Sequence, residues 1–448
     1  MAEVAAPTSL NYSNQLPLGI ENKSHRRLFF PSTGDKYESD GANICRIDIN
    51  YDGMLDTSQS YLLMKIKNNA TGQNIALDMG QPIISRLKNE SGGVVLEDIL
   101  NYNQLIGGIL VPSQGGKGTL HHEGFNLGLS NFIANEQGIK DSSVSSVLQR
   151  GAVSAAGQTV NNGSGVIANN NEYTICYKLV SGLLDNDKYL PLVLMNAGLT
   201  IQIEFAAGIE AAVVTTDIPS KYSISGIRYV AHLIDLERNF YDRMRAVQQA
   251  SGGNLTIAGT SFRSFTANID AVATENTLNI PARVRSIKSV FWKFSIAPGN
   301  RAFNISNGGH AHLQSYQLKI GATNYPPTAI NVNPVTNKVE PYLELQKAFG
   351  KLGSTIHSDM LGSGSYLIAE TASTNSVGGQ KVQLAPFGID LEAFRHQIEN
   401  GIDTSSRALP MSLNLTHSQA PTAATAHIFV MFDAMFYILM DGSVSVSS

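Results

Sequence analysis

Cysteine is nearly absent: Cys45 and Cys176 are the only two among 448 residues. Both lie in apolar, strand-like runs, where a free thiol behaves as a small hydrophobe. A disulfide-stapled scaffold is thereby excluded, and a single Cys45–Cys176 bridge is the minor alternative. Charge is scarce too. Asp, Glu, Lys and Arg make up 15% of the chain and the net charge is −4, against roughly 25% charged residues in average soluble proteins. The densest basic run, His25-Arg26-Arg27, holds three residues, where a nucleic-acid or membrane patch needs about five to eight. No direct nucleic-acid binding is expected, because phosphate contacts require clustered Lys and Arg. No stretch approaches the roughly 18 apolar residues of a membrane span, and MAEVAAPTSLNYSNQ lacks the basic start and apolar run of a secretory signal. The expectation is a protein made and kept in the cytosol or nucleus.

Catalytic signatures are missing as well. There is no G-X-S-X-G elbow, no carboxylate pair in a catalytic frame and no Cys-His arrangement with nucleophile logic. The nearest approach to a metal site is Gly309-His310-Ala311-His312, since a His-X-His pair on a strand aims both rings to one side. Metal-binding cupins add a carboxylate three or four residues on; here Ser315 and Tyr316 occupy those places. The expectation is a solvated histidine pair where a strand begins. His121-His122-Glu123 reads as a loop cluster, because neighbouring residues diverge on strand and helix alike. The glycines around Lys117 in SQGGKGTL lack the Gly-Lys-Ser/Thr order of a phosphate loop and read as a turn. No catalytic, cofactor-binding or metal-binding residue is assigned.

What the chain does have is alternation. Cys45, Ile47, Ile49 and Tyr51 share one face of a strand, and the pattern returns at 199–205, 290–296, 316–320 and 411–415. Many short strands without a βαβ rhythm indicate antiparallel sandwiches, and 43% hydrophobic residues over 448 suffice for more than one core. Helical pattern is confined to four short insertions, at 94–109, 235–250, 341–352 and 390–399. The polar helix 235–250 is followed by the breaker Ser251-Gly252-Gly253, which marks a domain boundary. The expected organisation is an N-terminal arm (1–30), a first sandwich (31–235), a linker helix and turn (236–253) and a second sandwich (254–448). Residues 151–171, rich in Ala, Gly, Asn and Ser, read as a long exposed loop. Strict repeats between the halves are not visible, yet both close on a long strand-forming run, YSISGIRYVAHLIDL and AHIFVMFDAMFYILM.

Several segments, in order, resemble the double jelly-roll major capsid proteins of polinton-like viruses, adintoviruses and virophages. DKYLPLVLMNAGLTIQIEF (187–205) is similar to a family strand in which Leu-Pro precedes an alternating run. NIPARVRSIKSVFWKFS (279–295) is the most specific match, with Ile287 where Leu is usual. SYQLKIGATNYPP (315–327), EPYLELQKAFGKLG (340–353) and FGIDLEAFRHQIENGIDTSS (387–406) follow in the family's order. The resemblance covers about a third of the chain, mostly its second half. It implies two tandem jelly-roll sandwiches with short helical insertions and an all-β fold class. It also implies a non-enzymatic virion protein, made in the host cytosol and assembled in cytoplasm or nucleus. Its implied form is a pseudo-hexameric homotrimer that tiles the icosahedral capsid of a double-stranded DNA virus. The implied partners are neighbouring capsomers, a single jelly-roll penton protein at the vertices and minor or cement capsid proteins. A virion spike or carbohydrate-binding sandwich, and more remotely a bicupin metalloenzyme, are the competing readings.

Overall fold

The computed structural model describes residues 22–41, 43–69, 75–77, 80–114, 166–167, 170–207, 212–214, 221–250, 252–296, 305, 308–352, 361, 366–367, 384–394, 399–406, 409–421 and 424–448. The first half carries β1 (Asn22–Phe29), β2 (Lys36–Glu38), β3 (Ile44–Ile49), β4 (Met54–Asn68), β5 (Ile75–Leu77), β6 (Ile84–Ser91) and β7 (Val94–Leu100). Three short helical pieces come next: α1 (Tyr102–Leu105), a π-helical turn (Ile106–Leu110) and α2 (Val111–Gln114). The half is completed by β8 (Val166–Ile167), β9 (Glu172–Tyr177), β10 (Leu190–Pro191), β11 (Leu199–Phe205), β12 (Ala212–Val214) and β13 (Tyr222–Leu236). After α3 (Arg238–Ala250), the second half contains β14 (Asn254–Asn268), β15 (Glu275–Ile280), β16 (Ile287–Ile296), β17 (Leu313–Ile320) and β18 (Thr323–Asn331). Then follow α4 (Val339–Ala348), β19 (Phe387–Asp390), β20 (Met411–His417), β21 (Ala424–Leu439) and β22 (Val444–Ser447).

Strand order reveals a duplication that residue identity conceals. In the first half the two principal sheets run β1-β13-β4-β10 and β3-β11-β6-β7; in the second they run β14-β21-β16-β19 and β15-β20-β17-β18. If the eight main strands of each half are ranked in chain order, both halves read 1-8-3-6 over 2-7-4-5. This is the double-sheet, eight-strand arrangement of a jelly roll, present twice. Among the described residues no ladder joins the two halves. Alternation makes the cores: Ile47 pairs with Ile201 and Cys45 with Ile203, all four fully or almost fully buried, while Arg46 pairs with Gln202 on the outer face. In the second half Trp292, Phe294, Tyr316 and Phe387 fill the space between the sheets. Trp292 meets the edge of Tyr316 at 4.8 Å between centroids and stacks on Phe387 at 5.6 Å.

Several expectations need correction. Asn22–Phe29, assigned to an arm, is a strand paired with β13 from Asn22↔Leu236 to Phe29↔Tyr229. Its position is imposed by β13, since six of its eight residues are exposed and show no alternation. The helix expected at 94–109 begins as strand β7, because Gly92-Gly93, both at positive φ (57° and 83°), makes a two-residue hairpin turn from β6. The helix expected at 390–399 is not found over Asp390–Phe394: β19 runs to Asp390 and the Leu391 amide then donates to the Lys288 carbonyl; residues 395–398 lie outside the described set. Within the expected loop, 151–165 and 168–169 lie outside it as well, while Val166–Ile167 is strand β8, paired with β5. His121-His122-Glu123 and the Lys117 glycines also lie outside the described residues. Cys45 and Cys176 are both free. Burial pushes the Cys45 thiol up to about 12, so it is inert at neutral pH.

Candidate functional site: the seam between the two sandwiches

The most elaborately built feature is the junction where the first sandwich meets the second. Its centre is a carboxylate. Glu97 on β7 is buried, and its two oxygens accept from the amides of Gly182 (2.8 Å) and Leu183 (3.1 Å) and from Asn89 Nδ2 (3.0 Å). Ser181 Oγ takes a further bond from the Leu184 amide (2.9 Å). A buried carboxylate is tolerated when its lone pairs are filled in this way. The turn at 181–184 is thereby held against β14. There the two backbones touch: a Cβ at Gly259 would lie 2.2 Å from the Gly182 carbonyl oxygen. Asn186 Nδ2 bridges the junction, donating to the carbonyls of Gly182 (2.9 Å) and Ala258 (2.8 Å).

Further polar ties surround this point. Asn101, at the end of β7, donates to Ser264 Oγ and Thr266 Oγ1 of β14, each at 3.1 Å. Gln248 of α3 donates to the Ile438 carbonyl (2.8 Å), and the Asn196 amide to the Gly442 carbonyl (2.9 Å). The π-helical turn sits over β16, where a Cβ on Gly108 would clash with the stem of Lys293. Lys293 is buried and donates to the Ile305 carbonyl. A cavity of about 130 Å³ remains between β7 and the β14–β21–β22 sheet, with Arg263 stacked over Phe432 (5.2 Å) and hydrogen-bonded to the Arg283 carbonyl (2.9 Å). Backbone-to-backbone contact and directional polar ties fix one relative orientation; apolar burial alone would tolerate sliding.

Two predictions arise here. Gly259→Ala should destabilise the protein by about 1–3 kcal/mol, the usual range for overpacking, and should open the seam to limited proteolysis; an unchanged denaturation midpoint would refute the close contact. The second concerns His427, the cross-strand neighbour of Lys293. Burial, and secondarily the Lys293 charge, pull its pKa down to about 3. A histidine depressed in the fold stabilises it fully above its unfolded pKa near 6.5 and loses that contribution as pH falls toward 3. Between pH 7 and pH 4 the expected loss is about 3 kcal/mol, and His427→Gln should flatten that part of the stability–pH curve.

The residues singled out in the sequence do not meet at this seam. His310 and His312 lie in a turn, with Ala311 and His312 at φ 49° and 55°, and their rings are 5.9 Å apart. His310 is buried, contrary to the solvated pair expected. The turn is fastened by His417 Nδ1 against the Ala311 oxygen (2.7 Å) and by the Ser418 amide donating to the His312 carbonyl (2.9 Å). Among the described residues no group of three or more His, Cys, Asp or Glu is placed to hold a metal. His25 stays at the first sandwich, 3.2 Å from the Tyr51 hydroxyl, which donates to Asp235 at 2.5 Å. Sequence reasoning missed Glu97, Gly182 and Asn186, which carry no local signal. Gly259 did have one, since an isolated glycine inside a strand pattern marks close backbone approach.

No family model matches the chain, and no curated protein matches it. Solved structures do. The Faustovirus major capsid protein aligns over 96% of this chain and 92% of its own, at 9% identity and TM-score 0.57. PBCV-1 VP54, fitted into a reconstruction of the virophage Sputnik, aligns over 98% and 99% at 11% identity and TM-score 0.56. The Sputnik virophage structure at 3.5 Å covers 100% of this chain and 93% of its own, at 12% identity and TM-score 0.54. At such identities the likeness establishes the fold: this chain is a double jelly roll.

Proposed function

We propose that this protein is the major capsid protein of a double-stranded DNA virus, assembling as a homotrimer whose six jelly rolls form a pseudo-hexagonal tile. The observation that carries the reading is the repeated 1-8-3-6 over 2-7-4-5 strand order, locked by a glycine-tight seam into one two-roll unit. Alignment with the Faustovirus major capsid protein over 96% of this chain supports it. Two rolls per chain, held at a set angle, are what a threefold ring needs to present six similar edges. The domain limits then fall in the stretch from Leu236 to Gly253, with the first roll starting at β1. In this reading the chain belongs to the virion shell and performs no catalysis. Its partners are neighbouring capsomers, a single jelly-roll penton protein and minor capsid proteins. The decisive measurement is native mass: three chains of 48.1 kDa give 144.3 kDa (3 × 48.1), with a hexagonal outline in projection. A stable 48.1 kDa monomer would overturn the reading.

A further inference from the structure

Two sheets that occupy the same topological place have different surroundings. In the second roll, the β14–β21–β16 sheet carries the first roll on it: β14 is mostly buried or half-buried, with Gly259 against Gly182 and Lys293 beneath Gly108. In the first roll the equivalent sheet is β1–β13–β4. There β1 is exposed at six successive positions, 22–27. A strand resting on its own core buries every second residue, so this edge is open to both sides. Register places Arg26 beside His232, Leu28 beside Val230, and Tyr61 and Leu63 on β4 beside Val230 and Arg228. Half-buried Leu28, Tyr61 and Leu63 thus lie among Arg26, His232 and Arg228.

The element that covers the second roll is β7, fifth in rank, with the helical segment after it. Its counterpart in the second roll is β18, also fifth and also followed by a helix, α4. α4 packs on β19 through Leu345 and Ala348, yet another of its faces displays Val339 (65% exposed) and Leu343 (40%), one turn apart, with Val335 (78%) in the preceding turn. Glu340 and Glu344 flank this stripe, the latter paired with Lys347 at 3.6 Å; their charge is opposite to that of Arg26 and Arg228, which share the outer face of the β1–β13–β4 sheet.

We infer that the β18–α4 side of one chain seats on the β1–β13–β4 sheet of a second copy, repeating between chains the seam that each chain already contains. The inference rests on the homotrimer reading above and adds its surfaces. Such contacts are heterologous: each seam takes the α4 patch from one chain and the β1 patch from the next, so they close only as a ring.

The test uses two full-length variants, Val339→Glu/Leu343→Glu and Arg26→Glu/Leu28→Glu, each first shown to keep the wild-type circular dichroism spectrum and cooperative unfolding. Each alone is expected to lose the trimer and run as a 48.1 kDa monomer at micromolar concentration. Mixed in equal amounts, they should form one seam and stop at a 96.2 kDa heterodimer (2 × 48.1). The one intact α4 patch then meets the one intact β1 patch. Either folded variant remaining trimeric, or a mixture remaining monomeric, would overturn the assigned surfaces while the trimer itself stands. Persistence of the trimer in the β1 variant alone would mean that another segment, such as residues 1–21, covers that sheet. A wild-type protein that is not trimeric would bring down the homotrimer reading and the inference with it.

Discussion

Phe387→Ala is expected to cost the second roll about 3–5 kcal/mol, the range for truncating a buried aromatic whose cavity cannot collapse. Phe387 is fully buried and stands between Trp292 (5.6 Å) and Phe294 (6.0 Å), with Tyr316 edge-on at 5.6 Å. Removing it leaves three large rings without a common neighbour, and each of these aromatic contacts contributes beyond area burial. Trp292 is the chain's single tryptophan, so its fluorescence reports this roll directly. Denaturant titration should show an earlier transition, with Trp292 emission shifted to the red in the native state. A midpoint equal to wild type would mean that the aromatic cluster does not organise the core.

Asp433→Ala should be comparably damaging for an electrostatic reason. Asp433 is buried at 7% exposure, pairs with Lys288 Nζ at 3.3 Å, and accepts from Ser286 Oγ (2.8 Å) and the Glu399 amide (2.9 Å). Lys288 also meets Glu392 at 3.1 Å, and the Gly401 amide donates to Ser286 Oγ at 3.0 Å. Removing the central acceptor leaves a mostly buried ammonium with one partner and orphans an amide and a hydroxyl. Breaking one side of a buried pair costs about 3–5 kcal/mol. The expected results are a loss of that size in chemical denaturation and new proteolytic cleavage within 399–406. Asp433→Asn, which keeps an acceptor oxygen, should lose less. Equal losses for the two variants would show that the carboxylate charge carries the whole effect and that the retained acceptor oxygen contributes nothing, whereas a harmless Asp433→Asn would show the ion pair with Lys288 to be unimportant.

Much of the architecture was legible in alternation, and some was hidden for identifiable reasons. Strands such as Ile44–Ile49 and Leu199–Phe205 announce themselves because one face of each enters a core. Asn22–Phe29 does not, because it lies exposed along an edge and is ordered by its partner. Gly92-Gly93 carries a hairpin signal that the reading of 94–109 as a helix overlooked, because the residues after it are compatible with either element. Duplication of the rolls could not be seen in residue identities, since a jelly roll constrains where apolar residues alternate and leaves their identity open. The seam was almost invisible: Glu97 and Asn186 act through partners distant in sequence, Gly182 and Ala258 among them.

The pairing of first-ranked with eighth-ranked strands also governs how the chain must be made. Asn22 waits for Leu236, 214 residues later (236 − 22), and Asn254 waits for Leu439, 185 residues later (439 − 254). At about 5–20 residues per second of synthesis, the sheet that holds the first and eighth strands of each roll spends roughly 10–40 s without its closing strand. During that interval β4, and later β16, presents an unpaired edge on the ribosome. The nascent chain is therefore most exposed to mispairing with its neighbours just before β13 and just before β21 emerge, and a translational pause there would lengthen the hazard.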